Sequence, residues 1–154
     1  MTSTGRNTQT HVTLEREPRH EEVATVLAGL RAFNVERIGD MGFEPVTVFL
    51  RDADDRVVGG LLGEIRWRWL YVSKLWVSEA HRGGGAGSRL MAAAESHAAE
   101  RGCLGVYLDT FEYQARPFYE KLGYELFGTL EGYPPGYRQY YLAKRLDAPA
   151  PPSA

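Results

Sequence analysis

The chain has 154 residues, 44% of them hydrophobic and 25% charged, and a formal net charge of −2. These values suit one soluble globular domain with a real core, and they offer no basic face for nucleic acid. The single cysteine, Cys103, excludes an internal disulfide and fits a reducing cytoplasm. No run approaches the ~18 apolar residues of a membrane span, and the polar N-terminus has no apolar core, so neither a span nor a secretory signal is expected.

Residues 1–10 read as a polar, disordered lead, residues 11–146 as the domain, and the Pro/Ala-rich residues 147–154 as a disordered tail. Residues 12–15 suggest a short first strand. After Pro18, Val23, Val26, Leu27, Leu30 and Phe33 recur at three- and four-residue spacing, which predicts a helix packed on a sheet. Asn34, Gly39 and Gly42 end it. Residues 45–51 are β-branched and aromatic, and with residues 56–65 they predict a hairpin closed by a turn at 52–55. Gly59, Gly60 and Gly63 inside the second strand predict a bulge or a close backbone approach. A turn at 66–68 leads to a long strand at 69–77.

Residues 86–101 read as a helix whose stripe is Leu90, Met91, Ala94 and Ala98, with Gly102 just past its end. The next strand, 104–108, should lie parallel to 69–77, because a helix crosses over between them. A short helix at 114–122 stops at Gly123. Two strands follow, at 124–130 and 138–146, joined by a Pro/Gly loop. The order predicts a mixed α/β sheet with helices on both faces.

The densest signal lies in residues 75–87, LWVSEAHRGGGAG. An apolar strand end is followed by a polar turn, and Gly83, Gly84, Gly85 and Gly87 then open a helix. Such a turn lets backbone N–H groups converge on an anion at the positive end of the helix. A Walker loop is ruled out, since none of Lys74, Lys121 and Lys144 follows a glycine. A dinucleotide fingerprint fails because Ser88 stands where its third glycine belongs. What remains, Arg82-x-x-Gly85-x-Gly87, resembles the Arg/Gln-x-x-Gly-x-Gly/Ala signature with which GNAT N-acetyltransferases hold the pyrophosphate of acetyl-CoA. A second segment, Ala115-Arg-Pro-Phe-Tyr-Glu-Lys-Leu-Gly-Tyr124, is similar to the family's A-x-x-x-Y-x-K-x-G-F/Y.

The resemblance covers most of residues 69–146. It implies a GNAT-like acyl-CoA acyltransferase fold, with a central, mostly antiparallel sheet, one splayed parallel strand pair and helices on both faces. It implies acetyl-CoA as co-substrate and no metal. The pyrophosphate would lie on Arg82, Gly83, Gly84, Gly85, Ala86, Gly87 and Ser88. The cofactor arm would lie on the strand backbone at Leu75, Trp76 and Val77, with the Leu75 N–H at the thioester carbonyl, where a fixed donor is worth ~3 kcal/mol. Tyr119 would protonate the departing sulfur. The family's frequent Asn is replaced by Glu112, so Gln114 is the amide expected at the arm. The amine must lose a proton, and the family's strand glutamate is absent from 69–77. Glu64, Asp109 and Glu112 are the carboxylates at hand, and Glu64 is the expected base. The acceptor is expected to be a small-molecule primary amine, with a protein amine as the other option. Neither nucleic acid nor membrane is an expected partner, and the family often forms homodimers. The alternative is an acyl-CoA-binding sensor without turnover.

Overall fold

The computed structural model describes residues 8–147. The expected disordered tail beyond Asp147, and the expected lead up to residue 7, lie outside those residues. The chain divides into two units, Met1–Asp40 and Met41–Ala154.

In the first unit, residues 12–15 form no strand, contrary to expectation. Val12 and Leu14 are 99% and 90% exposed. Extended backbone becomes a strand only where a neighbour takes its N–H and C=O groups. Helix α1 spans His20–Ile38. The Glu22 carboxylate caps its start, accepting from the Arg19 backbone N–H at 3.2 Å and from the Arg19 guanidinium at 2.8 Å. Glu21 and Glu22 in the first turn and Arg37 in the last complement the helix dipole. None of its residues is buried, Val26, Leu27, Leu30 and Phe33 included.

The second unit contains β1 (Glu44–Arg51), β2 (Val57–Arg66), β3 (Trp69–Val77), α2 (Ala86–Glu100), β4 (Gly105–Phe111), α3 (Arg116–Lys121), β5 (Glu125–Glu131) and β6 (Arg138–Arg145). They form one six-stranded sheet in the order β1-β2-β3-β4-β6-β5. Every pairing is antiparallel except β3 with β4. The last strand therefore inserts between β4 and β5.

The core lies between the sheet and α2. Ala94 and Ala98 of α2 are fully buried, so the helix backbone approaches the strands closely. Leu61, Leu70, Leu108 and Leu142 meet it from β2, β3, β4 and β6. Glu95 of α2 accepts from the Tyr124 hydroxyl at 2.8 Å and the Lys144 ammonium at 3.1 Å, tying the helix to the far strands. Tyr119 of α3 joins the same core, so α2 and α3 share one face. The alternation on β3 and β4 buries Leu70, Val72, Val106 and Leu108 on that face and turns Tyr71, Tyr107 and Asp109 to the other.

Candidate active site

Strands β3 and β4 pair over only four residues, from Trp69↔Gly105 to Val72↔Leu108. Beyond that they separate. The cause is visible one strand away. Leu62 pairs with Lys74 but Gly63 with Val72, so Ser73 is an extra residue on β3. Its hydroxyl donates to the Leu62 carbonyl at 3.0 Å. A bulge of this kind bends its strand and raises its twist. Glycine is required opposite it, since a Cβ on Gly63 would stand 2.5 Å from the Tyr71 carbonyl oxygen.

The bulge also resets the strand's phase. Leu75 and Val77 pack against the core, while Lys74 and Trp76 are exposed. The edge of β3 that faced β4 is left without a strand partner over residues 73–77. A cleft of about 820 Å³ opens there, between β3, the glycine turn, the end of β4 and α3. Every predicted cofactor contact lines it except Gly84.

The turn after β3 contains a 3-10 segment, Glu79–His81. Arg82 folds back, its Nε donating to the Val77 carbonyl at 2.8 Å, and so fixes the strand end to the turn. Gly85 caps α2 in the left-handed region, at φ +78°, where only glycine sits without penalty. A Cβ on it would meet nothing within 4 Å; the space beside it is the cleft. The first N–H groups of α2 have no partner within the helix and lie at its positive end, so the turn suits an anion.

Helix α3 presents Tyr119 to the opposite wall. The side chain is 7% exposed and packs edge-on against Phe118 and Tyr124, with centroids 5.0 and 6.0 Å away. Burial, and secondarily the charge of Asp109, pushes the phenol pKa up to about 12. The hydroxyl therefore stays protonated at neutral pH, as a donor must. Gln114 lines the cleft, but its Oε1 accepts from the Thr110 hydroxyl at 3.1 Å and the Phe111 N–H at 2.8 Å. That oxygen builds the turn into α3.

The three candidate carboxylates separate. Asp109 lines the cleft. Glu64 does not; it stands two strands away on the same open face, in an ion pair with Arg66. Glu112 lies outside the cleft too, accepting from the Arg138 N–H at 3.0 Å. Asp109 is held on both oxygens, by the Tyr71 hydroxyl and by the Gln139 amide nitrogen. Tyr141 donates in turn to the Gln139 carbonyl oxygen at 3.2 Å. Burial, reinforced by Asp109, raises the Tyr71 pKa well above the ordinary phenol value.

Lys74 also lines the cleft and was not singled out from the sequence. A signal for it exists. Apolar residues alternate at Leu70 and Val72, then at Leu75 and Val77, and the break in phase at 73–74 marks the bulge. Among the described residues, no group of three or more His, Cys, Asp or Glu is placed to hold a metal, and no helix is long and apolar enough to cross a membrane.

A splayed parallel pair, a glycine turn capping a helix and a buried tyrosine across the gap can be compared with known proteins. The sequence pattern of the acetyltransferase (GNAT) family matches residues 13–124. The chain belongs to the GNAT acetyltransferase family. It is 45% identical over 91 residues to a blasticidin-S acetyltransferase of Streptomyces morookaense, covering 58% of this chain and 67% of that one. It is 39% identical over 117 residues to an acetyltransferase of Agrobacterium fabrum, covering 76% and 85% of the two. A solved acetyltransferase structure from Bacillus cereus superposes with a TM-score of 0.82 at 29% identity, over 89% of this chain and 98% of that one. The chain is thus a GNAT acetyltransferase, with the mixed sheet and splayed pair that the resemblance implied.

Proposed function

We propose that this GNAT enzyme transfers an acetyl group from acetyl-CoA directly to a primary amine on a small molecule. The observation that carries this reading is the bare β3 edge at residues 73–77, which runs into the glycine turn beneath Tyr119. A strand edge offers donors and acceptors at regular spacing, so it accepts an extended, amide-bearing arm as it would another strand. The turn and the α2 N-terminus accept pyrophosphate. Open space beside Gly83 and Gly85 supports close approach of an anion to backbone there. Bound acetyl-CoA supplies an activated thioester.

The chain's own residues do the rest. The Leu75 N–H is the donor for oxygen charge that builds during acyl transfer. Tyr119 holds a proton for the departing sulfur. Asp109, rather than Glu64, is the carboxylate facing the reacting groups. An amine arrives as ammonium and loses one proton, and its lone pair forms the C–N bond as the C–S bond breaks; Tyr119 gives its proton to the sulfur and regains one from the new amide nitrogen. The products are amide, thiol and one released proton. The blasticidin-S acetyltransferase, named for a small molecule, supports an acceptor of that class.

The test is thiol release from acetyl-CoA across a panel of amines. Amine-dependent release with stoichiometric N-acetyl product is expected. Tight acetyl-CoA binding with no release for any amine would instead indicate a sensor.

A further inference from the structure

We infer that the acceptor carries an acidic group besides its reactive amine, and that Lys74 and Asp109 read the two charges from opposite lips of the splay. This rests on the acetyl-transfer reading above and names the acceptor's class.

The argument begins at the bulge. Without Ser73 as an extra residue, alternation from Val72 would send residue 74 toward α2 and residue 75 outward. With it, Lys74 pairs with Leu62 and Leu75 with the fully buried Leu61. Directly paired residues share a face. Lys74 therefore stands on the open face, with Leu62, Glu64 and Tyr71. Across the gap, Asp109 follows Leu108 as Ser73 follows Val72 in the parallel register. It turns to the same open face as Tyr71 and Tyr107. One cation and one anion thus flank the opening where β3 and β4 part, and both line the cleft.

Among the described residues, neither charge is answered by an opposite one. The Lys74 ammonium donates to the Ser73 carbonyl at 3.3 Å, and no carboxylate among the described residues pairs with it. Arg82, the other cation on the cleft, is turned to the Val77 carbonyl. Asp109 accepts from a phenol and an amide, both neutral. They fix its orientation without cancelling its charge, and a carboxylate retains further lone pairs for an ammonium. By contrast, the nearby Glu64, Glu112 and Arg138 are already in ion pairs. An acceptor with an ammonium and a carboxylate complements both lips. A diamine would bring its second cation against Lys74, and like charges at a site exclude a ligand as effectively as contacts select one.

The experiment uses the full chain with acetyl-CoA and matched acceptors: ω-amino acids of increasing length, their carboxamides, and the corresponding diamines. At the best length, kcat/KM for the acid should exceed that for the carboxamide by about tenfold or more, and the diamine should be poorest. Lys74→Met should collapse the acid-to-amide ratio toward one through the acceptor KM. Lys74→Glu should invert the order in favour of the diamine. The KM for acetyl-CoA should stay within about twofold in both, which separates acceptor reading from a contact with the cofactor's phosphates. Asp109→Asn should weaken acid and amide alike. Turnover without acid–amide discrimination, or a ratio that survives Lys74→Met, would overturn this inference and leave the acetyltransferase reading standing. No turnover with any amine, while acetyl-CoA binds, would remove both.

Discussion

Tyr119→Phe isolates one atom. The ring is held by Phe118 and Tyr124 at centroid distances of 5.0 and 6.0 Å, and phenylalanine keeps both contacts. Truncation to alanine would instead open a core cavity costing ~3–5 kcal/mol, and any loss of rate would be confounded with unfolding. With its pKa pushed to about 12, roughly one hydroxyl in 10⁵ is ionised at pH 7, so nearly every enzyme molecule holds the proton that the sulfur needs. A thiol with a pKa near ~8.5 can leave unassisted, but at a cost. Removing the donor should therefore lower kcat by about ten- to several-hundred-fold, or ~1.4–3.5 kcal/mol of barrier. The measurement is thiol release at saturating amine and acetyl-CoA, beside calorimetric acetyl-CoA affinity and a melting curve. Affinity should be within about threefold of wild type and the melt unchanged. A folded Phe variant with wild-type kcat, under conditions where chemistry limits the rate, would show that Tyr119 only packs.

Gly85→Val forces a branched residue to φ +78° and puts its methyls into the cleft. The left-handed conformation alone costs ~1–2 kcal/mol, and acetyl-CoA affinity should fall at least about tenfold; unchanged affinity by calorimetry in a folded variant would end the pyrophosphate assignment. Gly63→Ala drives a Cβ to 2.5 Å from the Tyr71 carbonyl and should cost ~2 kcal/mol or more in denaturant unfolding. Gly29→Ala, in α1 with nothing within 4 Å, should stabilise that helix by up to ~1 kcal/mol. Tyr71, Tyr119 and Tyr124 all have raised pKa values, burial being the first cause in each. In the unfolded chain they ionise near 10, while folded Tyr119 keeps its proton to about 12. Their contribution is complete below pH 10 and declines as pH rises from there through the folded values. Unfolding free energy should fall over that window, and Tyr119→Phe should make the fall shallower; an identical slope in both proteins would contradict the burial argument.

Strand β3, the glycine turn and the start of α2 were legible in the sequence to the residue, because each is set by local chemistry. An apolar strand ends at Val77, glycines permit the left-handed cap, and the stripe at Leu90, Met91, Ala94 and Ala98 has helical period. The parallel relation of β3 and β4 followed from the crossover helix, since chain connectivity constrains strand direction. The tertiary structure decided what depends on partners. Residues 12–15 have strand-like composition but pair with no strand among the described residues. Strand β6 lies between β4 and β5, a choice of neighbour that no local pattern encodes. The sequence pointed to Glu64 over Asp109 as the base, and only the point where β3 leaves β4, after Val72 and Leu108, puts Asp109 on the cleft and Glu64 outside it. Composition and period report each strand's own two faces. A splay is a relation between strands, and it exists only once Ser73 has been squeezed out of register against a glycine on the neighbouring chain segment.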